Sequence, residues 1–382
     1  MNAIADYKLF TPLTIGKDLV LKNRIVMAPM GRARVDPVSY APLEITQLYY
    51  EQRASAGLII TEATAISEQG YGWYGAPALY NDAHAEAWKK VVDRVHARGG
   101  KIFFQLWHMG RQAHSSFNSN HEVVAPSAIG LQGGHIRDSN GDHASYELPR
   151  ALEPEEIASI VDDYRRSAAL AKKAGFDGVE IHAGNGYLID QFLQSVSNHR
   201  TDKYGGSFEN RTRFLLEVIE AIKKEWPSDR ISVRISPNGA FGEMGSEDNA
   251  ELFTYVASQL RPLGLAYVAL RPLGLAYVAV LDGTGFGSHD SGRLLTALDI
   301  KKAFQGLVFG ANSYTRDIAE GALRSGAADA VCFGRLYISN PDLMERFQND
   351  WPLAPQASYE YFWDASMGAE GYTTFPAYTP SK

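Results

Sequence analysis

Short apolar runs alternate with segments of helical period along most of this 382-residue chain. The runs are as short as strands, and the helical segments between them supply the crossovers that parallel pairing requires. The eight apolar runs are Arg24–Met30, Leu58–Thr64, Lys101–His108, Gly178–His182, Ile231–Pro237, either Leu265–Leu270 or Leu275–Val280, Leu307–Ala311 and Ala330–Arg335. No glycine-rich dinucleotide turn follows the first run, which favours a closed barrel over an open sheet. We predict an α/β protein with a single (β/α)8 TIM barrel over residues 1–382.

Two further segments are predicted to flank the barrel. Phe10–Gly16 and Asp18–Leu21 alternate apolar with polar residues, which predicts a β-hairpin that closes the amino-terminal end. Ser115–Pro149 follows the third strand and has no helical period. It is predicted to be a long excursion over the carboxyl-terminal face, where such barrels carry out catalysis. A helix capped by Asp82 is predicted between the second and third strands.

One ten-residue sequence occurs twice in tandem, as Leu260–Ala269 and Leu270–Ala279. The copies are identical, and only one can form the sixth barrel strand. If the second copy is the strand, the additional residues fall on the helix-to-strand side; if the first is, they enter a loop that faces the substrate. The second copy is preferred, because the side remote from catalysis tolerates an insertion with less damage. The chain is expected to be a monomer or homodimer, and an additional apolar copy could favour dimerisation.

Charge and composition exclude several classes of protein. The 37 basic and 44 acidic residues give a formal net charge of −7, without a long single-sign run, so no nucleic-acid or membrane-surface partner is predicted. The amino terminus lacks a basic segment followed by an apolar stretch, and no apolar run reaches about 18 residues, which predicts a cytoplasmic protein. The one cysteine, Cys332, lies in an apolar run and is predicted to be an inert core thiol.

The fourth predicted strand ends in polar side chains, within Val179-Glu-Ile-His-Ala-Gly-Asn-Gly-Tyr187. His182 and Asn185 could bind one oxygen atom between them, and Tyr187 supplies a phenol whose ordinary pKa is about 10. This trio suggests a site that stabilises charge on a carbonyl or nitro oxygen and delivers a proton. The alternative is structural: His182 ends the strand, Asn185 lies in a turn, and Tyr187 packs on the next helix.

The last two strands predict a phosphate site. Gly310-Ala-Asn-Ser313 ends the seventh strand, Gly334-Arg335 ends the eighth, and a helix begins near Thr315. Backbone donors at such positions bind anions. Arg234 lies midway along the fifth strand, and if it points inward it needs an anionic partner. The structural alternatives are loop closure by Gly334 and an ordinary salt bridge of Arg234.

Ordered motifs lie at or beyond these strand ends: Met27-Ala-Pro-Met-Gly-Arg-Ala-Arg34, Thr61-Glu-Ala-Thr64, Phe104-Gln-Leu-Trp-His-Met-Gly110, His182-x-x-Asn185-x-Tyr187, Asn198-His-Arg-Thr-Asp-x-Tyr-Gly-Gly206, Glu209-Asn-Arg211, Gly334-Arg335 and Asn340-Pro-Asp342. No single motif is specific. Together they resemble the flavin-dependent Old Yellow Enzyme family, in its classical branch, over about Leu9 to Tyr378.

The resemblance implies FMN across the barrel mouth, reduced by NAD(P)H, with hydride then passing to an activated alkene: an enal, enone, maleimide or nitroalkene. His182 and Asn185 would bind the substrate oxygen and Tyr187 would protonate the α-carbon, which implies net trans addition and ping-pong kinetics. The implied FMN contacts are the main chain of Pro29, Met30 and Ala63, the side chains of Gln105 and Arg234, and, for the phosphate, Asn312, Gly334 and Arg335.

Two aromatic residues and one glycine need separate interpretation. Trp107 and Tyr71 resemble residues of the family's substrate wall, although packing would also explain them. Gly31 departs from the family, in which the position beside the flavin carries threonine or cysteine, so a side-chain donor is missing and a lower flavin potential is expected. His108 and His114 have no carboxylate pattern around them, and no metal site is predicted.

Three other functions stay open at this stage. The oxygen-binding pair would also suit a reductase of nitrate esters, nitroaromatics or quinones. The phosphate site would suit a flavin-free barrel lyase or isomerase that acts on a phosphorylated metabolite. A duplication that disables turnover would leave a flavin-binding protein with a structural role.

Overall fold

Eight parallel strands close into a barrel in the computed structural model, which describes residues 3–261, 274–285 and 287–380. In chain order the strands are β1 (Leu13–Ile15), β2 (Leu19–Leu21), β3 (Ile25–Met27), β4 (Leu58–Ile60), β5 (Thr64–Ala65), β6 (Ile102–Trp107), β7 (Val124–Ala125), β8 (Ile136–Arg137), β9 (His143–Ala144), β10 (Arg150–Ala151), β11 (Gly178–Ala183), β12 (Ile231–Ile235), β13 (Val278–Leu281), β14 (Val308–Ala311) and β15 (Ala330–Phe333). The barrel order is β3, β4, β6, β11, β12, β13, β14 and β15, with β15 paired to β3. The predicted barrel is confirmed.

The amino-terminal end of the barrel is filled by aromatic rings and closed by the hairpin. The ring of Tyr277 lies between those of Phe103 and Phe309, with centroid distances of 5.9 and 4.0 Å. The antiparallel strands β1 and β2 bury their alternate leucine and isoleucine side chains in the same apolar cluster. The period-2 pattern therefore predicted the hairpin correctly, since its apolar side covers this end of the barrel.

Helices surround the barrel: α1 (Glu44–Gln52), α2 (Asp82–Ala97), α3 (Pro154–Lys173), α4 (Leu188–Leu193), α5 (Phe208–Ile222), α6 (Asn249–Gln259), α7 (Ala297–Phe304), α8 (Arg316–Arg324), α9 (Arg335–Ser339), α10 (Leu343–Gln348) and α11 (Glu360–Trp363). The predicted cap of α2 was wrong by one residue. Asn81 has the extended backbone of a cap and accepts a hydrogen bond from His84 N at 2.9 Å, whereas Asp82 is already helical. Among the described helices, none is long and apolar enough to cross a membrane.

The excursion after β6 is folded onto the carboxyl-terminal side of the barrel. Within it β8 pairs with β9, and β7 pairs with β10, which begins directly after the excursion. Glu147 accepts hydrogen bonds from the backbone N and the Oγ of Ser115, which joins the two ends of the excursion. Glu243, in the loop after β12, accepts hydrogen bonds from the backbone of Gln132 and Gly133. The excursion is therefore attached to the face that carries the predicted site.

The sixth barrel strand uses the second copy of the tandem repeat, because β13 begins at Val278. This confirms the preference stated above, and the structure supplies a further reason. β13 continues past the repeat to the buried residues Val280 and Leu281. The same register on the first copy would place Leu270 and Arg271 there, and a buried arginine requires an anionic partner. Residues 262–269 of the first copy lie outside the described residues.

Removal of one copy of the repeat is expected to leave the fold intact. Deleting residues 260–269 or 270–279 gives the same polypeptide, because the copies are identical. One complete strand is retained, and each halving of a flexible loop favours folding by only about 0.6 kcal/mol. We expect the free energy of unfolding, measured with denaturant, to stay the same or rise slightly. A loss of several kcal/mol would mean that the additional residues contribute to the folded barrel.

Candidate active site

Three polar side chains lie at the end of β11, at the carboxyl-terminal mouth of the barrel. His182 belongs to the strand and is 4% exposed. Asn185 and Tyr187 lie in the turn between β11 and α4 and are half-buried. Asn185 has a left-handed backbone with φ of 57°, which asparagine tolerates better than most residues. The structure therefore brings together the three residues that the sequence predicted.

The turn that carries Asn185 and Tyr187 is held by backbone hydrogen bonds to buried side chains. Asn185 N donates to Ser236 Oγ at 2.6 Å, and Gln112 Nε2 donates to Asn185 O at 2.9 Å. Gly186 N donates to Asp190 Oδ2 at 2.8 Å. Within the described residues, neither the side-chain carboxamide of Asn185 nor the hydroxyl of Tyr187 has a hydrogen-bond partner. Both functional groups are therefore available to a ligand.

The ring of Tyr187 lies between the rings of two predicted site residues. Its centroid is 5.0 Å from that of His182 and 5.1 Å from that of Trp107, both in edge-to-face arrangements. Trp107 is 3% exposed, and its Nε1 is buried without a partner in the described part of the chain. The phenol, the imidazole and the indole form one continuous wall of the mouth.

The imidazole of His182 is uncharged at neutral pH. Burial, and then the neighbouring guanidinium of Arg234 on β12, lower its pKa to about 3. Its Nδ1 is buried and has no hydrogen-bond partner among the described residues. A neutral imidazole can donate one hydrogen bond to a substrate oxygen without placing a cation in a buried site.

The phenol of Tyr187 is held in its protonated form. Burial, and then the charge of nearby Tyr146, raise its pKa above the ordinary value of 10. The hydroxyl therefore keeps its proton across the physiological range and can donate it to a strongly basic carbon that forms next to it.

A polar network lies deeper in the barrel, around Glu180. Gln105 Nε2 donates to Glu180 Oε1 at 2.9 Å, and Tyr277 Oη donates to Glu180 Oε2 at 3.0 Å. Arg234 is 6% exposed, and its Nε and Nη1 are buried without hydrogen-bond partners among the described residues. A buried guanidinium with free donors is a site for an anionic or strongly polar ligand edge.

The loops after β3 and β4 form the opposite side of the mouth. Pro29, Met30 and Ala63 are half-buried there, and Gly31 is exposed. A Cβ built at Gly31 would lie 3.8 Å from Nε1 of Trp363. The carboxyl-terminal segment that carries this indole therefore reaches the mouth.

Arg32 attaches the carboxyl-terminal segment to the loop after β3. Its Nη2 donates to the carbonyl oxygens of Tyr361 and Gly371 at 3.0 and 2.8 Å. Its backbone N donates to Glu62 Oε2 at 3.0 Å. Burial raises the pKa of Glu62 to about 7. These contacts hold the residue that follows Gly31 and the residue that precedes Ala63.

The predicted phosphate residues meet around the loop Gly283–Gly285. Asn312 Nδ2 donates to Gly283 O at 2.7 Å, and Arg335 Nη2 donates to Gly285 O at 3.3 Å. A Cβ on Gly283 would come within 2.0 Å of Asn312 O, so only glycine allows this approach. Because its side chain is engaged, Asn312 is expected to bind phosphate through its backbone. A Cβ at Gly334 would meet Met30 Sδ at 3.5 Å, which joins this region to the mouth.

Two residues singled out from the sequence are packed in the interior. Tyr71 is fully buried, its ring is stacked on that of Tyr40 at 4.1 Å, and its hydroxyl donates to Ala76 O at 2.8 Å. These are the packing contacts that the structural alternative predicts for Tyr71. A role of Tyr71 in a substrate wall stays a prediction. Cys332 is buried, and burial raises its pKa to about 12, in agreement with an inert thiol.

Sequence reasoning missed three residues of this region: Glu180, Tyr277 and Trp363. A charged residue in the middle of an apolar run, as in Gly178-Val-Glu-Ile181, is the signal that could have identified Glu180. The other two had no comparable signal. Tyr277 lies within the repeat, and Trp363 lies far along the chain from the strands whose ends it approaches.

Comparisons with known proteins relate this chain to flavin-dependent oxidoreductases. The profile of the NADH:flavin oxidoreductase / NADH oxidase family matches residues 8–354. The "Probable flavin mononucleotide-dependent alkene reductase" of Leishmania infantum is 39% identical over 373 residues, which cover 96% of this chain and 97% of that protein. The solved structure of an Old Yellow Enzyme homologue from Zymomonas mobilis is 40% identical, with a TM-score of 0.88, covering 97% of this chain and 100% of that one. Morphinone reductase in complex with tetrahydroNAD is 39% identical, with a TM-score of 0.86, covering 97% and 98% of the two chains.

The residues at the mouth fit FMN. The buried donors of Arg234 suit the polar edge of a flavin ring, as does the Oε1 of Gln105, whose Nε2 is engaged by Glu180. The apolar residues after β3 and β4 suit the face of the ring. The glycine-bounded loop near Asn312, together with Arg335, suits its phosphate. The Nε and Nη1 donors of Arg234 would otherwise stay buried without a hydrogen-bond partner among the described residues, which is costly.

Substitution of Gly31 by threonine is expected to raise the reduction potential of bound FMN. Among the described residues, the Cβ would meet Trp363 Nε1 alone within 4 Å, at an ordinary van der Waals distance of 3.8 Å, so the backbone admits a side chain here. One added hydrogen bond of about 1 kcal/mol corresponds to about 20 mV for a two-electron couple. Spectroelectrochemistry checks this, with the isosteric Gly31→Val as the control without a hydroxyl. An unchanged potential in Gly31→Thr would exclude a donor role at this position.

Proposed function

The chain belongs to the NADH:flavin oxidoreductase / NADH oxidase family, and on that premise we propose that this FMN- and NAD(P)H-dependent oxidoreductase is an ene-reductase. Its substrates would be enals, enones, maleimides or nitroalkenes. In the net reaction, one hydride from NAD(P)H and one proton add across the C=C bond, and NAD(P)⁺ is released. When bound, FMN supplies the hydride relay between the two substrates.

His182 and Asn185 would bind the substrate's carbonyl or nitro oxygen. The neutral imidazole and the free carboxamide both offer N–H donors at the end of β11. Donors aimed at this oxygen stabilise the negative charge that develops on it as hydride reaches the β-carbon. The fixed backbone of the turn keeps the two donors in place before the substrate arrives.

Tyr187 would donate the proton that completes the reduction at the α-carbon. Its hydroxyl has no partner among the described residues, and its raised pKa keeps the proton on the oxygen until a basic carbon forms. Hydride and proton would then arrive on opposite faces, with net trans addition. The rings of Trp107 and His182 pack edge-to-face against the phenol ring and hold it in place.

One observation carries this proposal: an oxygen-binding pair and a protonated phenol converge at one mouth, and none of the three functional groups has a hydrogen-bond partner in the described part of the chain. The turn at Asn185 and the packing of the Tyr187 ring account for the backbone and the ring, but they leave the carboxamide and the hydroxyl without a structural use. The flavin-free lyase or isomerase considered above does not agree with membership of a flavin oxidoreductase family.

The test is an anaerobic spectrum of the purified protein. We expect a flavin spectrum that bleaches on addition of NAD(P)H and recovers on addition of 2-cyclohexen-1-one. Bleaching without recovery with enones or nitroalkenes would contradict the ene-reductase proposal while keeping the flavin chemistry. Recovery with a nitrate ester or nitroaromatic compound alone would favour the second candidate, since the His182–Asn185 pair also suits a nitro group.

A further inference from the structure

A buried carboxylate lies beside the cofactor-binding amide, and the chemistry described so far does not use it. Glu180 is 0% exposed and sits in the middle of β11, where it is opposite Gln105 on β6. Its two oxygens accept hydrogen bonds from Gln105 Nε2 and Tyr277 Oη. A charged group buried this deeply is costly, so its retention inside the barrel calls for a specific role.

We propose that Glu180 is a positioning residue that fixes the orientation of the Gln105 amide toward the flavin. A carboxylate accepts hydrogen bonds and cannot donate them. Gln105 must therefore turn its NH₂ group to Glu180, which makes Oε1 the atom available to a ligand. No donor to Oε1 exists among the described residues. An acceptor at this place is complementary to the N3–H donor of the flavin's pyrimidine ring.

Two neighbours keep Glu180 in its accepting form. Tyr277 is a donor because burial raises its pKa well above the ordinary value, and its ring is stacked on Phe309 at an interplanar angle of 12°. Burial raises the pKa of Glu180, and the guanidinium of Arg234 opposes that effect. The rigid ring of Tyr277 thus holds the carboxylate in position, and the nearby guanidinium stabilises its negative charge.

The competing explanation is that Glu180 only neutralises Arg234. A neutralising charge acts through space and would influence the flavin whether or not Gln105 is present. An orienting contact acts only through the amide. The two explanations therefore differ in how the effect of Glu180 depends on Gln105.

The experiment measures the ionisation of flavin N3–H in the holoprotein, from the visible spectrum as a function of pH. Loss of the enforced acceptor in Glu180→Gln should lower this pKa by about one unit, a tenfold change, because the new amide can donate to Gln105 Oε1 and release its orientation. Glu180→Asp keeps the negative charge but moves it away from Gln105. The orienting role therefore predicts that the pKa of N3–H is lowered in this variant too. An unchanged value in Glu180→Asp would overturn the proposal in favour of charge neutralisation.

A double-mutant cycle completes the test. In a Gln105→Met background, Glu180→Gln should have no further effect on N3–H ionisation, and an undiminished effect would refute action through the amide. Glu320→Gln is the control: its carboxylate is also buried and, away from the mouth, accepts hydrogen bonds from the backbone of Lys8 and Leu9 and from Arg324 Nε. Glu320→Gln should change the free energy of unfolding without changing the pKa of flavin N3–H.

This inference rests on the proposed function only in that FMN occupies the mouth, and the two can fail separately. A protein that binds FMN and shows the shifts, but does not reduce activated alkenes, would keep the role of Glu180 and reject the ene-reductase. A protein that reduces 2-cyclohexen-1-one, but shows the same N3–H ionisation in all Glu180 variants, would keep the ene-reductase and reject the role of Glu180.

Discussion

Replacement of Tyr187 by phenylalanine should slow alkene reduction by about 10²- to 10⁴-fold, the usual contribution of a general acid. Reduction of FMN by NAD(P)H should keep its rate, because that half-reaction needs no proton at the substrate α-carbon. The ring remains in place between His182 and Trp107, so the substitution removes only the hydroxyl. Anaerobic stopped-flow measurements of the two half-reactions check the expected difference.

Tyr164→Phe is a suitable control for that experiment, because it also removes a buried phenol whose hydroxyl has no hydrogen-bond partner among the described residues, but on α3, outside the barrel mouth. It should leave both half-reactions unchanged. Equal losses in the two half-reactions of Tyr187→Phe would exclude the role of Tyr187 as proton donor and point to a general disturbance of the mouth.

Replacement of His182 by alanine should weaken the binding of a phenol such as p-hydroxybenzaldehyde by about 10- to 100-fold. A phenolate oxygen mimics the polarised substrate oxygen, and a hydrogen bond to a charged group contributes about 1.5–3 kcal/mol. The pKa of His182 is about 3, so the imidazole stays neutral between pH 5 and 9. Affinity in the wild-type protein should therefore follow the ionisation of the phenol alone, without a step near pH 6.5.

Spectrophotometric titration of the holoprotein measures this affinity. His114→Ala is the control, since this histidine lies at the start of the excursion and bonds to Ser116. Unaltered phenol affinity in His182→Ala would assign the oxygen to other donors. A wild-type step near pH 6.5 would show that the imidazole is not desolvated in the holoprotein.

The fold was predictable because its signals are local and repeated. Strand, helix and turn alternate often enough that an error at one boundary, such as Asp82 for Asn81, does not change the topology. The choice between the repeat copies was different. It depends on two residues beyond the repeat, Val280 and Leu281, whose burial is a property of the closed barrel.

The site was predictable where its residues are close in sequence, as in the segment from His182 to Tyr187. It was not predictable where contacts cross the barrel. Glu180 and Tyr277 are 97 positions apart, and their hydrogen bond exists only because β11 and β13 face a common interior. Whether Tyr71 forms a wall or packs is decided by its neighbours in space, which its own sequence segment does not contain.

The tandem repeat also means that the sequence of the sixth strand occurs twice in the folding chain. The first copy is synthesised earlier, and within the repeat it has the same side chains as the copy that pairs with β12. The two alignments differ in which loop carries the ten additional residues and in the pair that ends the strand, Val280 and Leu281 or Leu270 and Arg271. Closure of the barrel on the second copy therefore depends on residues that lie outside the repeated sequence.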